Sequence, residues 1–193
     1  MLKDLITRNR SYRRFHQDAQ VSLDTLRDLV ELARYSASGS NRQPLKYILV
    51  CDPETNAKVF PQLAWAGFLT DWGGPAEGER PAAYIIILND KTIAAVPGTD
   101  HGIAAQSMML GAAERGLGGC MIGSIQRDEL RKVLDIPEQY DITLVLALGT
   151  PAETVVVEDV GPDGSIRYYR DDKDVHRVPK RTLEELIVAA YGE

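Results

Sequence analysis

Three stretches of the chain carry side chains that could do chemistry. The first is Asn9-Arg10-Ser11-Tyr12-Arg13-Arg14-Phe15. Guanidinium forks donate paired hydrogen bonds to phosphate or carboxylate oxygens, and the Ser11 hydroxyl adds a short donor among them. A solvated basic turn is the other reading of the same residues, because charge runs usually face water. The second stretch is Ser36-Ala37-Ser38-Gly39-Ser40-Asn41-Arg42-Gln43-Pro44. Its small side chains let a planar ligand approach the backbone, and the Asn41 and Gln43 amides can match the donor and acceptor edges of a heterocycle. An ordinary helix-to-strand loop has the same composition. The third is Gly116 to Gly123 (GLGGCMIG). It looks like a dinucleotide fingerprint but does not fit one, since that motif joins a strand to the helix after it and this run follows a helix; a helix cap with close packing competes.

Other chemistries lack their residues. His16, His101 and His176 are scattered without the spacing of a metal-binding helix, and there is neither a GxSxG elbow nor a GxxxxGK phosphate loop. Cys51 and Cys120 are the only cysteines, which speaks against a disulfide scaffold and a CxxC site. Cys120 reads as packing or ligand lining rather than as a nucleophile, and Met108 and Met109 as core. The net charge is −6 over 193 residues, yet the first sixteen hold five cations against Asp4 alone, so a small anion could be held there. No apolar run is long enough to span a bilayer, and the expected home is a reducing cytoplasm.

The elements that must position these residues follow from periodicity and punctuation. Leu2, Leu5 and Ile6 suggest a short helix leading into the arginines. Ser22 caps a stronger one, with Leu23, Leu26, Leu29, Val30 and Ala33 on one face. Lys46 to Val50 reads as a strand, Asp52-Pro53 opens a helix toward Trp65, and Asp71 to Pro81 is a loop or lid. Ala82 to Leu88 (AAYIIIL) is a central strand covered on both faces. Asp100 could cap a helix from His101 to about Arg115 that is apolar nearly all round, hence deeply buried or packed on another subunit. Gly116 to Gly123 is read as a loop, Arg127 to Leu134 as a short helix, Asp141 to Leu148 as a strand, and Val155 to Tyr169 as a hairpin around Pro162-Asp163-Gly164. Thr182-Leu-Glu-Glu185 is a capping box opening a C-terminal helix. With no repeat or linker, residues 1–193 read as one layered domain of helices and strands.

Taken in order along the chain, these segments resemble the nitroreductase family of FMN-dependent oxidoreductases. The family pattern is an arginine-serine-basic motif ending in an aromatic (Arg10-Ser11-Tyr12-Arg13-Arg14-Phe15), an S-x-x-N-x-Q-P loop (Ser38 to Pro44), a buried helix ending in G-L-G-x-x-x-x-G (Gly116 to Gly123), and basic residues before the last helix (Lys180, Arg181). The departures are Asn9 where a second arginine is common, Leu45 where a tryptophan is common, and Ala37 in place of a proline.

The resemblance implies an α+β fold of three layers, a central, mostly antiparallel mixed sheet flanked by helices. It implies FMN held by Arg10 and Ser11 at the phosphate or ribityl arm, with Arg13 at the pyrimidine side. Ser38, Gly39 and Asn41 would come from the second subunit of a homodimer, with Gln43 and Pro44 supporting that loop. Cys120, Met121, Ile122 and Gly123 would pass their backbone beside the flavin N5, and Lys180 or Arg181 would close on the phosphate. The implied activity is hydride transfer from NADH or NADPH through FMN to a nitroaromatic or quinone, in two half-reactions at one site. The cofactor carries the chemistry, so no catalytic side chain is named. Alternatives on the same scaffold are a flavoenzyme specific for one metabolite, acting by reductive dehalogenation or by fragmenting the flavin, with Trp65, Phe68 or Trp72 as stacking groups, and a non-catalytic flavin-binding redox module. Neither nucleic acid nor membrane is expected as a partner.

Overall fold

The computed structural model describes residues 2–192. Its center is strand β3 (Ala83–Asp90), every residue of which is buried. Its apolar run, Ala83 to Leu88, alternates between the two faces of a sheet and needs cover on both. Ile85 and Ile87 join one core with Leu26 and Leu29 of α2 (Leu23–Arg34) and Ala105, Met108 and Ala112 of α4 (Asp100–Glu114). Tyr84, Ile86 and Leu88 join the other, with Val59 of α3 (Pro53–Val59) and Leu130 of α5 (Arg127–Val133). Helices on both sides of one sheet make the expected three layers.

β3 pairs antiparallel with β2 (Leu45–Val50) on one side and with the long β5 (Tyr140–Pro151) on the other. The far edge of β5 takes two partners in succession, β4 (Gly118–Ile122) and the two-residue β1 (Phe15–His16), both antiparallel. Ser11 bridges Gly119 in parallel, and Tyr12 N–H donates to the Gly119 carbonyl at 2.9 Å, so the arginine segment becomes an extra, partial strand outside β4. A second sheet follows: β8 (His176–Lys180) lies between β6 (Val155–Asp159), parallel to it, and β7 (Tyr169–Arg170), antiparallel to it. α1 (Leu2–Arg8) and α6 (Leu183–Leu186) stand at the two ends.

The structure corrects five local expectations. Gly118–Ile122 is a strand, not a loop; glycine is needed there for close approach, because a Cβ on Gly119 would run into the Ala147 carbonyl oxygen and one on Gly118 would sit 2.5 Å from the Tyr12 ring. Val155 to Tyr169 is not a hairpin, since β6 and β7 both pair with β8 rather than with each other. The helix opened by Asp52 stops at Val59, where Pro61 can offer no N–H and a 3₁₀ turn (Phe60–Gln62) takes over. Asp100 is the first residue of α4 rather than its cap, and its carboxylate is used elsewhere. The Thr182 capping box is present, but the helix it opens lasts a single turn. α4 is buried as its composition required, and α2 approaches so closely that a Cβ on Gly111 would strike the Leu32 side chain. No helix among the described residues is long and apolar enough to cross a membrane.

Candidate functional site

A cleft of about 360 Å³ opens where the arginine segment, β4, α4 and β8 meet. It is lined by Arg10, Ser11 and Arg13, by Gly119 and Met121 of β4, and by His176 and Lys180 of β8. Arg13 and Met121 also line an adjoining cleft of about 190 Å³ with Cys120, Ile122, Gly123 and Trp65. The first and third chemical stretches of the sequence are therefore neighbours in space, joined by the Ser11–Gly119 bridge.

β4 presents its backbone to this space. Residues of a strand alternate in the direction of their N–H and C=O groups, and Gly119 turns its carbonyl outward to Tyr12. Met121, two residues on, turns its N–H outward as well, and no turn or loop carbonyl among the described residues takes it. The Cys120 thiol is buried at 5 % exposure, and burial pushes its pKa up, which makes it a poor nucleophile and a packing group.

Arg13 is the most constrained cation of the cleft. Only 9 % exposed, it reaches the Ser11 carbonyl at 3.3 Å and His176 Nε2 at 3.4 Å, and its guanidinium carbon lies 4.9 Å from the Tyr168 ring center. An arginine can only donate, so Nε2 accepts and the proton of His176 sits on Nδ1. Burial first, and Arg13 next, hold the His176 pKa down to about 4, so this ring is neutral at pH 7. Three donors of residues lining this cleft are buried without a partner: Arg10 Nε, Arg13 Nε and His176 Nδ1. Buried donors are nearly always satisfied, and their clustering beside one cleft fits a bound acceptor-rich molecule.

One carboxylate anchors the assembly. Glu153, 2 % exposed at its side chain, accepts from the backbone N–H groups of Arg13 and Arg14, the latter at 3.1 Å, and from Arg170 at 2.7 Å. It thereby ties the arginine segment to the second sheet. Above, Phe68 stacks on Tyr168 at 4.9 Å, Tyr168 on His176 at 5.3 Å, and Trp72 lies against Arg14 (5.9 Å) and Arg170 (5.3 Å).

The second stretch lies elsewhere in the chain. Ser38 and Gln43 line a separate crevice with Asp100 and Tyr47. The buried Asp100 carboxylate accepts from Ser38 Oγ at 2.6 Å and Gly39 N–H at 2.9 Å, and Ser38 Oγ in turn accepts from Gln43 N–H at 2.9 Å. The Gln43 amide reaches Asn41 Oδ1 at 3.1 Å. Ser40, Asn41 and Gln43 all adopt left-handed φ values of 52–53°. Three strained non-glycine residues within four positions mark a loop held in shape by its surroundings. Of the two C-terminal cations, Lys180 lines the main cleft, whereas Arg181 pairs with Glu185 at 3.4 Å. Glu153, Tyr168 and His176 were not singled out from sequence, and Trp65 only as a stacking candidate. Of these, only Tyr168 lies in the β-rich run read as a hairpin, Val155 to Tyr169; Glu153 and His176 flank it.

Comparison with known proteins gives this arrangement its relatives. The chain is 28% identical over 148 residues to the "Putative NADH dehydrogenase/NAD(P)H nitroreductase" of Archaeoglobus fulgidus, covering 72% of this chain and 80% of that protein. It is 26% identical over 179 residues to the iodotyrosine deiodinase of Haliscomenobacter hydrossis, covering 78% and 79%. Among solved structures, an FMN-dependent nitroreductase from Clostridium difficile R20291 superposes with a TM-score of 0.63 at 24% identity, over 77% of this chain and 87% of that one. The NfrA1 nitroreductase of B. subtilis does so with a TM-score of 0.64 at 24% identity, over 79% and 67%. Both structures share the fold. The model of the nitroreductase family matches residues 6–150, from within α1 through nearly all of β5, and with the sheet order and the relatives it makes this chain a member of the nitroreductase family.

Proposed function

We propose that the chain is an FMN-dependent oxidoreductase that takes electrons from NADH or NADPH and delivers them to a nitroaromatic or quinone, working as a homodimer. The observation that carries this reading is the cluster of unpartnered buried donors, Arg10 Nε, Arg13 Nε and His176 Nδ1, beside a cleft bordered by the open edge of β4. An acid phosphate at one end and a carbonyl-rich heterocycle at the other would satisfy them. Arg10, Ser11 and Lys180 face the phosphate; Lys180 is preferred to Arg181, which is already paired.

Arg13 stands beside the pyrimidine edge, where a fixed cation stabilises the anionic reduced cofactor and raises its potential. Met121 N–H is directed toward the flavin, while Cys120, Ile122 and Gly123 form the wall next to it. None of Ser38, Gly39, Asn41 and Gln43 lines the Arg10 cleft of their own chain, and Ser38 and Gln43 line a different crevice. In this reading they serve the site of a second copy, locked in shape by Asp100. FMN, when bound, supplies the hydride chemistry between the two substrates. This chain's part is to bind it, orient it and set its charge environment.

The test is the visible spectrum and mass of the cofactor that co-purifies, followed by anaerobic titration with each nicotinamide nucleotide. Flavin absorbance bleached by NADH or NADPH is expected, and flavin that neither bleaches overturns the reading. A second reading, reductive removal of a halogen from an aromatic substrate, is favoured by the name of the Haliscomenobacter relative. Saturable turnover of iodotyrosine with nitroaromatics slow would select it.

A further inference from the structure

A second crevice, of about 200 Å³, lies across the molecule between the start of β3, the end of β2, α3 and the segment after β1. It shares no lining residue with the clefts around Arg13. Three of its lining residues carry a buried polar side-chain atom that has no hydrogen-bond partner. Asn56 donates through Nδ2 to the Ala82 carbonyl at 2.7 Å, which fixes the amide's orientation and leaves Oδ1 without a donor. Arg80 lays its guanidinium over the Phe60 ring at 4.4 Å, its backbone N–H is tied to Gln17 Oε1 at 3.2 Å, and its Nε finds no acceptor. Tyr84, with no exposed surface, stands in β3 with its hydroxyl unpartnered. Burial pushes the Tyr84 phenol pKa up, so it remains a neutral O–H donor at all ordinary pH. No carboxylate among the described residues lies within ion-pair distance of Arg80.

Buried donors and acceptors are nearly always partnered, and three unpartnered ones among the residues of one crevice form a preorganised recognition set. The chemistry of the set defines its complement. One guanidinium and one neutral hydroxyl suit a single negative charge with two acceptor oxygens. Asn56 Oδ1 requires a donor on the same molecule. Asp18 on the lining adds a negative charge that disfavours a dianion such as phosphate. At ~30 Å³ per water the volume holds roughly six non-hydrogen atoms, and Ala57, Pro81 and Ala82 offer apolar contact for a short carbon skeleton.

We propose that this crevice is a binding site for a small hydroxycarboxylate, with the carboxylate on Arg80 and Tyr84 and the hydroxyl donating to Asn56. The site is independent of the flavin reading, since it uses none of the same residues. It is nonetheless joined to the Arg13 side through one contact: Phe60, stacked under Arg80, lies 5.9 Å from Trp65, which lines the smaller cleft beside β4.

The test is calorimetric titration of the purified chain, in whatever cofactor state it is isolated, with L-lactate, D-lactate, propionate and inorganic phosphate. One lactate enantiomer should bind at one per chain, in the roughly millimolar range of a six-atom ligand. Propionate, which lacks the hydroxyl, should bind at least about threefold more weakly, and phosphate more weakly still. Arg80→Gln should weaken lactate about tenfold or more and Tyr84→Phe by a smaller factor. Flavin absorbance per chain should be the same in both variants and the parent, which separates failure of this site from failure of the cofactor assignment. Absence of saturable lactate binding, phosphate binding tighter than lactate, or an unchanged affinity in Tyr84→Phe together with Arg80→Gln would overturn the proposal. Should Arg80→Gln not fold, an unchanged affinity in Tyr84→Phe alone would do so.

Discussion

Replacing Glu153 with Gln tests how the arginine segment is held in place. One carboxylate oxygen accepts from the backbone N–H groups of Arg13 and Arg14, and the other accepts from Arg170. A glutamine can keep one oxygen on the two N–H groups only by turning its NH₂ toward Arg170, donor against donor. Removing one partner of a buried ion pair costs about 3–5 kcal/mol. Arg170 retains a second carboxylate, Asp174 at 3.4 Å, and is itself 13% exposed, so the lower end, about 3 kcal/mol, applies. For a chain of this size that corresponds to a fall in melting temperature of roughly 6–12 °C. Glu153→Ala removes the acceptor for both N–H groups too and should lie below Gln in stability. Because Glu153 joins the first sheet's edge to the second sheet, the loss should be local before it is global. Amide exchange in residues 9–16 and 169–180 should quicken more than in β3. The assay is urea unfolding of parent and variants with exchange mass spectrometry. A Gln variant within about 1 kcal/mol of the parent, with unchanged exchange in both segments, would refute the anchoring role.

The other expectations can be put together. Arg10→Ala should lower the flavin-to-protein ratio of purified material, and an unchanged ratio would remove Arg10 from the phosphate site. Gly119→Ala should destabilise by at least about 2 kcal/mol, because the added methyl meets a backbone oxygen that cannot turn aside. Gly111→Ala meets side-chain ends rather than backbone, Leu32 and, at 3.2 Å, the buried Leu29, and gains helix propensity, so it should cost less than Gly119→Ala; the reverse order in thermal melts would sink this contrast. His176 has its pKa lowered from 6.5 to about 4. The unfolded chain therefore binds a proton that the native chain refuses, and stability should be full above pH 6.5 and fall as the pH drops from there toward 4. His176→Gln should flatten that part of the stability profile, and an unaltered slope would mean that the ring is not the source.

The three layers were legible because the residues that build them obey strong periodic rules. AAYIIIL can be satisfied only by cover on both faces, and the spacing of Leu26, Leu29 and Ala33 admits one buried face. The second sheet was not legible for the opposite reason. β6 and β8 pair in parallel across an intervening β7, and a parallel pairing leaves no local turn signal, whereas Pro162-Asp163-Gly164 offers a turn signal that pairs nothing. Glycine misled in the same way at β4. Gly118 and Gly119 suggested a loop by their flexibility, but their use is the absence of a side chain, which lets Tyr12 and the Ala147 carbonyl come close. That requirement depends on what stands opposite and cannot be read from neighbours in sequence.

The candidate site divides along the same line. Arg10, Ser11 and Arg13 are recognisable because their chemistry is carried by residue type, yet what makes Arg13 a fixed cation rather than a solvated one is Glu153 on its backbone, His176 on its fork and Tyr168 on its face, all from beyond residue 150. The family match ends at that residue. The matched scaffold thus carries Arg10, Ser11 and Arg13, whereas the segment after it adds Lys180 and His176 to the cleft lining and decides how rigidly Arg13 is held. Differences in electron acceptor or potential among relatives with the same first 150 residues should therefore follow what replaces Tyr168 and His176. Exchanging that segment between two such relatives, with the flavin midpoint potential as the readout, would refute this division if the potential stayed with the scaffold.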